Sequence, residues 1–342
     1  MTPRKITVKE IAELSGVSVA TVSRVINQNG RFSAETEQRV RQVIEKYDYQ
    51  PNQLAKGLRQ RKTDAIGVTV PSIANEFFSD MVLAMQTKLF AEGYSLTIYN
   101  TNNSLEMERQ CHSLLAAQSV GGIISVNSRE DVRAALKRPI PTVYIDRFIR
   151  DEDLGSKVAS ISSDNMCGGR LAAQELLRAG CKKIVMVTAN AESPITKMRS
   201  QGFVDYLASQ GTPLPEERIF TPHHKDYIQS PYEEGREIMT SILGTGIEFD
   251  GLFCQTDWLA IGSLEVLREH GVRVPDEVSV VGYDDVLISR FGRPPLTTVR
   301  QDSTRIGERA AEIMVAMTQG ETPSEQRIVL PVELVRRDST RR

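Results

Sequence analysis

The 342-residue sequence holds four Cys, four His and one Trp, and each scarcity removes a class of function. Cys111, Cys167, Cys181 and Cys254 stand far apart with no Cys-x-x-Cys pair. Reduced thiols in a cytosol are therefore expected, not a disulfide scaffold or a zinc framework. His223-His224 is the only His cluster, without a Cys or third His beside it, and reads as an exposed loop. No apolar run approaches the roughly 18 residues of a membrane span. Met1-Thr2-Pro3-Arg4-Lys5 leads into a polar helix instead of a signal-peptide core, so the protein is expected to stay inside the cell, with no membrane partner. The phosphate-cradling GxxxxGK[ST], the metalloprotease HExxH and the nucleophile GxSxG are also missing. Neither catalysis nor a cofactor is expected.

What is present is ordinary globular material: 25% charged and 40% hydrophobic residues, with 23 Gly and 15 Pro. The length suggests two or three compact units. The net charge of −2 conceals an asymmetry. Residues 1–62 carry 12 Lys and Arg against 6 Asp and Glu, and the remaining 280 carry 30 against 38. A small basic head on a larger acidic body points to a polyanion meeting the head alone. Charge by itself also fits a merely solvated basic surface.

The head reads as three short helices. Thr7 and Glu10 have the spacing of a capping box, and Ile11, Ala12 and Leu14 continue that helix. Gly16 suits a turn with positive φ, and Val17 can plug the angle between two helices. Ser18 caps a second helix whose core side is supplied by Val25 and Ile26. Ser33 opens a third, with Val40, Val43 and Ile44 as its buried stripe. Helix, Gly-containing turn, helix is the helix-turn-helix pattern, whose second helix enters the major groove. Thr21, Ser23 and Asn27 can bond phosphates, and Arg24 can do so or reach guanine. Val19 and Ala20 can touch only apolar base edges such as a thymine methyl. Thr7 and Ser18, at the two helix starts, complete the head's candidates. The alternative is a three-helix module packing on a protein, with Arg24 solvated.

The run Thr7-Val8-Lys9-Glu10-Ile11-Ala12 through Asn27 resembles the headpiece of the LacI/GalR family of bacterial regulators. Tyr49-Gln50-Pro51-Asn52, followed by Leu54-Ala55 and Leu58, resembles that family's hinge. Pro51 stops the third helix, and Asn52 can cap Gln53–Arg59. That segment is far shorter than the roughly 12–15 residues an isolated helix needs, and Gly57 weakens it further. The resemblance implies hinge helices paired in the minor groove of a pseudo-palindromic operator, with Leu58 as a wedge in the base stack. Lys56 joins Leu58 among the DNA-facing candidates. A plain linker, with its basic residues kept for solubility, is the alternative.

From residue 65 onward, short apolar strands alternate with amphipathic stretches. Strands are expected at 65–70, 96–99, 122–126, 142–145, 184–187, 252–254 and 278–281. Helices are expected at 78–91, 107–117, 168–178, 198–210, 232–243, 259–270 and 304–318. Such a βαβα rhythm builds parallel sheets with helices on both faces and gathers ligands at the carboxyl ends of the strands. The body resembles the periplasmic-binding-protein fold. The resemblance implies two doubly wound parallel-sheet subdomains joined by crossovers near 161–164, 291–295 and 326–329. The expected organisation is a headpiece at 1–50, a hinge at 51–62 and an effector and dimerisation domain at 63–342. One subdomain would take about 63–162 plus 294–326, the other about 163–292 plus 327–340.

The residues just past each strand suit a polyhydroxylated ligand. Phe77, Phe78 and Trp258 offer flat faces for C–H surfaces. Asn75, Asp146, Arg147, Arg199, Thr256, Asp257, Asp284 and Gln301 offer multidentate polar groups for hydroxyls. Several match the site of ribose-type sugar-binding proteins: Asn75 with Phe77-Phe78, Asp146-Arg147, Arg199, Asp284 and Gln301. The resemblance implies a monosaccharide effector. Phe77 is the member of the aromatic pair expected in the core, Asp146-Arg147 could be a structural pair, and Trp258 could pack inward. Asp257 could cap a helix, as Asp164-Asn165 is expected to do. Arg147, Lys197 and Arg199 together would also suit a sugar acid or phosphosugar; a purine and a protein corepressor stay open too. The expected function is a DNA-binding transcriptional regulator, working as a homodimer since no heptad tail follows residue 328.

Overall fold

The structure, a computed structural model, describes residues 6–26, 28–47, 49, 64–118, 120–190, 193–221 and 230–342. The candidates Asn27, Lys56 and Leu58, the hinge expected at 51–62 and the pair His223-His224 lie outside the described residues. The chain divides into two compact units, Met1–Thr63 and Asp64–Arg342.

The first unit contains α1 (Val8–Ser15), α2 (Val19–Ile26) and α3 (Ala34–Lys46). Both halves of the expected capping box form: Thr7 Oγ1 accepts from Glu10 N at 3.3 Å, and Thr7 N donates to Glu10 Oε2 at 2.8 Å. Gly16 ends α1 at φ 64°, the left-handed conformation that glycine adopts most cheaply. Ile11, Ala12, Val22, Val25 and Val40 make the core, with Val17, Val19, Ile26, Val43 and Ile44 packed around it.

The second unit holds two six-stranded sheets. The strands are β1 (Ala65–Val70), β2 (Ser95–Asn100), β3 (Gly122–Val126), β4 (Thr142–Ile145), β5 (Val158–Ser163) and β6 (Ile184–Val187). They continue with β7 (Ile219–Phe220), β8 (Gly251–Cys254), β9 (Ser279–Asp284), β10 (Thr297–Arg300), β11 (Arg327–Leu330) and β12 (Glu333–Val335). The first sheet runs β11-β5-β4-β3-β1-β2 and is wholly parallel. The second runs β12-β10-β9-β8-β6-β7, and only β12 is antiparallel. The helices are α4 (Glu76–Ala91), α5 (Leu105–Gln118), α6 (Asn165–Arg178), α7 (Pro194–Ser209), α8 (Pro231–Thr245), α9 (Asp257–Glu269) and α10 (Ser303–Gln319). None of them is long and apolar enough to cross a membrane.

Strands covered on both faces read as continuous apolar runs, which is why β1, β3 and β4 stand where the sequence puts them. Successive residues of β3 and β4 serve opposite cores. Ile124 and Val143 join α4 and α10 on one face, while Ile123 and Tyr144 join Leu115 of α5 on the other.

Two of the three expected crossovers are displaced. β10 pairs with β9, Thr297 opposite Val281 and Arg300 opposite Asp284, so it belongs to the second sheet. The chain crosses at Gln301-Asp302, ten residues beyond the expected start of that crossover. β11 pairs with β5 and belongs to the first sheet, so the last crossing falls at Pro331-Val332. The subdomains are therefore 64–163 plus 302–330 and 164–301 plus 331–342. Both misplaced strands are only four residues long: β10 is Thr-Thr-Val-Arg and β11 is Arg-Ile-Val-Leu. Their sheet is decided by the strands they pair with, which local sequence does not name.

Candidate functional site

In the first unit, α2 turns Val22 and Val25 inward and leaves Ala20 and Arg24 exposed, with Thr21 and Ser23 half-buried between them. Ser18 Oγ accepts from Thr21 N at 3.1 Å, capping the helix, and lies 2.9 Å from Thr21 Oγ1. Thr7 has its hydroxyl on Glu10 Oε2 at 2.8 Å, and Val19 is half-buried against the core. The outward side of α2 is thus small, polar and basic, a profile that fits a DNA groove.

In the second unit the site grows from a close helix crossing. A Cβ at Gly169 would stand 2.0 Å from Arg199 O, and one at Gly202 would stand 2.0 Å from Met166 O. Only glycine lets α6 and α7 approach so nearly, and the approach brings Asn165 to Arg199. Arg199 is almost fully buried. It donates from Nε to Asn165 Oδ1 at 2.8 Å and from Nη1 to Gln255 O at 2.8 Å. Its guanidinium lies 3.8 Å from the Tyr283 ring centre and 3.8 Å from Asp284 Oδ1. Gln301 Nε2 donates to Asp284 Oδ1 at 2.7 Å. These groups sit at the carboxyl ends of β8, β9 and β10, so the second subdomain brings three of the expected residues into one network.

The first subdomain adds Asp146 and Arg147, just past β4. Asp146 takes φ 55° and Asp284 takes φ 111°, sparsely populated conformations that persist only where surroundings over-determine them. Burial pushes the Asp146 carboxyl up to about 6, with the Arg199 charge pulling the other way. Burial likewise lifts Asp284 to about 6, against Arg199 and the Gln301 hydrogen bond, and Asp146 adds to the rise. Each carboxylate therefore responds to charge from the opposite subdomain. Arg147 Nη1 donates to Ser128 O at 2.8 Å, and its guanidinium lies 5.7 Å from the Tyr144 ring centre.

Unpartnered buried atoms are candidates for ligand contacts. Among the described residues, five buried side-chain N or O atoms lack a partner: Asp146 Oδ1, Arg147 Nε, Ser163 Oγ, Gln301 Oε1 and His112 Nε2. Buried polar atoms are nearly always paired, so such a cluster calls for an explanation. Three of the five belong to expected effector residues, and Ser163 ends the neighbouring strand β5. Two acceptors, one guanidinium donor and one hydroxyl suit a ligand whose own hydroxyls both give and receive hydrogen bonds.

The aromatic residues divide. Phe77 is buried in the core while Phe78 is half-buried, their rings edge to face with centroids 5.3 Å apart. Trp258, Val286 and Ile288 of the second subdomain pack against that same core of the first. Nearby, Leu287 N donates to Glu76 Oε2 at 3.0 Å, another tie between the subdomains. Asn75 caps α4, accepting from Phe77 N at 3.0 Å, and Thr256 caps α9, accepting from Leu259 N at 3.2 Å.

Asp257 is engaged within the fold. It is fully buried, and its oxygens accept from Val286 N at 2.9 Å and Thr298 Oγ1 at 2.5 Å. Burial holds its carboxyl well above the ordinary range, and Asp284 adds to the effect. It ties β10 to the loop after β9, with each oxygen already hydrogen-bonded inside the fold. Asn165 and Ser163 are the residues that sequence reasoning missed. Asn165 was read only as part of a helix cap, and the cap is Asp164, which accepts from Cys167 N at 2.9 Å.

A separate hollow of about 340 Å³ is lined by Arg178, Arg336, Arg337, Asp338, Thr340 and Arg342. Its arginines are committed to Glu175, Asp285 and Asp338, so it does not compete with the cleft as a candidate.

Comparison with known proteins points the same way. Residues 7–52 match the family described as bacterial regulatory proteins, lacI family, and residues 173–340 match a periplasmic binding protein-like domain. The chain is 32% identical over 342 residues to the HTH-type transcriptional repressor PurR of Mannheimia succiniciproducens, covering 98% of this chain and 99% of that one. It is 33% identical over 338 residues to the HTH-type transcriptional regulator GalR of Escherichia coli K12, covering 97% and 95%. Among solved structures, the lac repressor dimer bound to operator and the anti-inducer ONPF aligns with TM-score 0.86 at 28% identity. That alignment covers 99% of this chain and all of that one.

Proposed function

The chain belongs to the LacI family of bacterial regulatory proteins, as a DNA-binding transcriptional repressor and not an enzyme, and from that premise we propose that a monosaccharide bound between its two subdomains sets its affinity for operator DNA. The observation that carries the effector reading is the set of orphaned atoms, Asp146 Oδ1, Arg147 Nε and Gln301 Oε1, at the ends of strands from both sheets. A neutral ligand fits them because the charges nearby already balance. Arg199 faces Asp284 at 3.8 Å and its charge also acts on Asp146, while Arg147 supplies a second cation against the two carboxyls. Lys197 is exposed on α7 whereas Arg199 is buried, which favours a neutral ligand over a sugar acid.

The operator reading rests on the polar outward side of α2. Ser18, Thr21 and Ser23 meet phosphates, Arg24 reaches a phosphate or guanine, and Ala20 meets an apolar base edge. Asn27, Lys56 and Leu58 extend that surface by resemblance to the family. The molecule acts in the cytoplasm as a homodimer on a pseudo-palindrome. Exposed apolar residues support the dimer. Leu83 and Phe90 on α4, and Met107 and Leu114 on α5, are each seven residues apart and so share a helix face; Ile98 stands on the edge strand β2. Effector binding changes the angle between subdomains. Linkage then requires sugar and operator to alter each other's affinity by the same factor.

A melting-temperature screen of the full chain against pentoses, hexoses, sugar acids, phosphosugars and purines tests this reading. A shift with a free sugar that is reduced but still measurable in Arg147→Ala supports it. A shift confined to anionic sugars or to purines replaces the monosaccharide, and no shift with any of them transfers the role to a protein corepressor.

A further inference from the structure

Glu108 is buried on α5, and no Lys or Arg side chain among the described residues bonds it. Its carboxylate is held instead by the loop that follows β3. Oε2 accepts from Arg129 N at 3.2 Å, Oε1 accepts from Glu130 N at 3.0 Å, and the Ser128 hydroxyl donates to Oε1 as well. His112, one helical turn on, brings Nε2 to 3.9 Å from Oε1 and has no hydrogen-bond partner for it. Burial keeps that imidazole below its ordinary pKa, so it leaves the carboxylate charge to the loop amides. The buried anion is stabilised only while Ser128, Arg129 and Glu130 keep their present backbone course.

That course reaches the cleft. Asn127 opens the loop at φ 49°, and Asp146 across the neighbouring strand sits at φ 55°. Conformations of this kind are sparsely populated and are held by their surroundings. The Ser128 carbonyl, fixed between strained Asn127 and the Glu108-bound amides, accepts from Arg147 Nη1 at 2.8 Å. With Nη1 anchored there and the guanidinium beside the Tyr144 ring, Nε is the buried, unpartnered donor left over.

We infer that Glu108 is a positioning residue for effector binding, acting through the Ser128–Glu130 loop to hold the Arg147 guanidinium. This rests on the proposed cleft reading, in which Arg147 meets the effector. Glu108 itself does not touch that ligand; it sets where the donor points.

The test is a double-mutant cycle on the full chain, read by calorimetric titration with D-ribose, D-xylose, D-galactose, D-glucose and cellobiose. Glu108→Gln keeps the volume but turns an amide toward backbone donors. It is expected to weaken binding of the recognised sugar roughly tenfold, while in an Arg147→Ala background the same change costs less than about twofold. Ser128→Ala removes one hydrogen bond of the carboxylate and leaves the anchoring carbonyl. It is expected to cost roughly threefold, with the same cancellation, and serves should Glu108→Gln fold poorly. A purely structural role would give equal losses in both backgrounds, and that result, or full affinity in Glu108→Gln, overturns the inference. Unchanged affinity in Arg147→Ala alone overturns the cleft reading instead. No binding of any of the five sugars by the unaltered chain withdraws both.

Discussion

The two subdomains build their halves of the candidate site on opposite plans. On the second subdomain, Arg199, Asn165, Tyr283, Asp284 and Gln301 bond one another and leave a single orphan, Gln301 Oε1. On the first, Asp146, Arg147 and Ser163 each keep a buried atom unpaired. A self-satisfied network is rigid before any ligand arrives. Open valences cost stability until something fills them. The second side is therefore preformed, and on the proposed reading the first is where a ligand would gain its hydrogen bonds.

The sharpest way to break this contrast is Arg199→Ala. It strands Asp284 and Asn165 in a buried site, and removing one partner of such a network costs about 3–5 kcal/mol. Urea unfolding should register that loss, together with loss of the sugar response. A midpoint within error of the unaltered chain would mean the second side is not one network.

Asp146→Asn should do the reverse, losing sugar binding at little cost in stability near neutral pH. Here the sign follows from burial, which raises the folded-state pKa of Asp146 to about 6. Between the ordinary carboxyl value and 6 the folded chain holds more protons than the unfolded one, so this group favours folding at low pH and that contribution is lost as pH rises. Two pKa units correspond to roughly 2.7 kcal/mol. Unfolding measured from pH 4 to pH 7 should show the stability of the unaltered chain falling relative to Asp146→Asn by up to that amount. A difference constant with pH would place Asp146 in contact with water.

Asp257→Ala refines the comparison by testing a carboxyl behind the second side. It should lower stability by about 2 kcal/mol through lost hydrogen bonds to Val286 and Thr298, with sugar affinity kept within about twofold. A large loss of sugar affinity at unchanged stability would restore Asp257 to the cleft.

Signals within a few residues of each other could be read from the chain. Thr7 with Glu10, Gly16 at its positive φ, Ser33 over α3 and the fully buried runs of β1, β3 and β4 all depend on local spacing or local hydropathy. The candidate cleft was half legible for the same reason. Strand ends near 145 and 281 could be located, which singled out Asp146, Arg147 and Asp284, whereas Gln301 follows a strand that local sequence does not announce and came from the resemblance; which of their atoms were already claimed could not be read.

Asp257 and Asp284 show that limit most clearly. Both are aspartates beside a strand end, and both are buried. One is consumed by Val286 and Thr298, whereas the other faces Arg199 and Gln301. The sequence alone determined the helical head with its polar second helix, the βα rhythm of the body and the kinds of side chain at the strand ends, because propensity, capping and periodicity act over a turn or a strand. Only the tertiary structure decided that β10 and β11 exchange the sheets expected for them, that Asn165 reaches Arg199, and that Glu108 grips the loop behind Arg147. Those outcomes depend on partners tens to hundreds of residues away, selected by sheet pairing and by how closely two helices can approach.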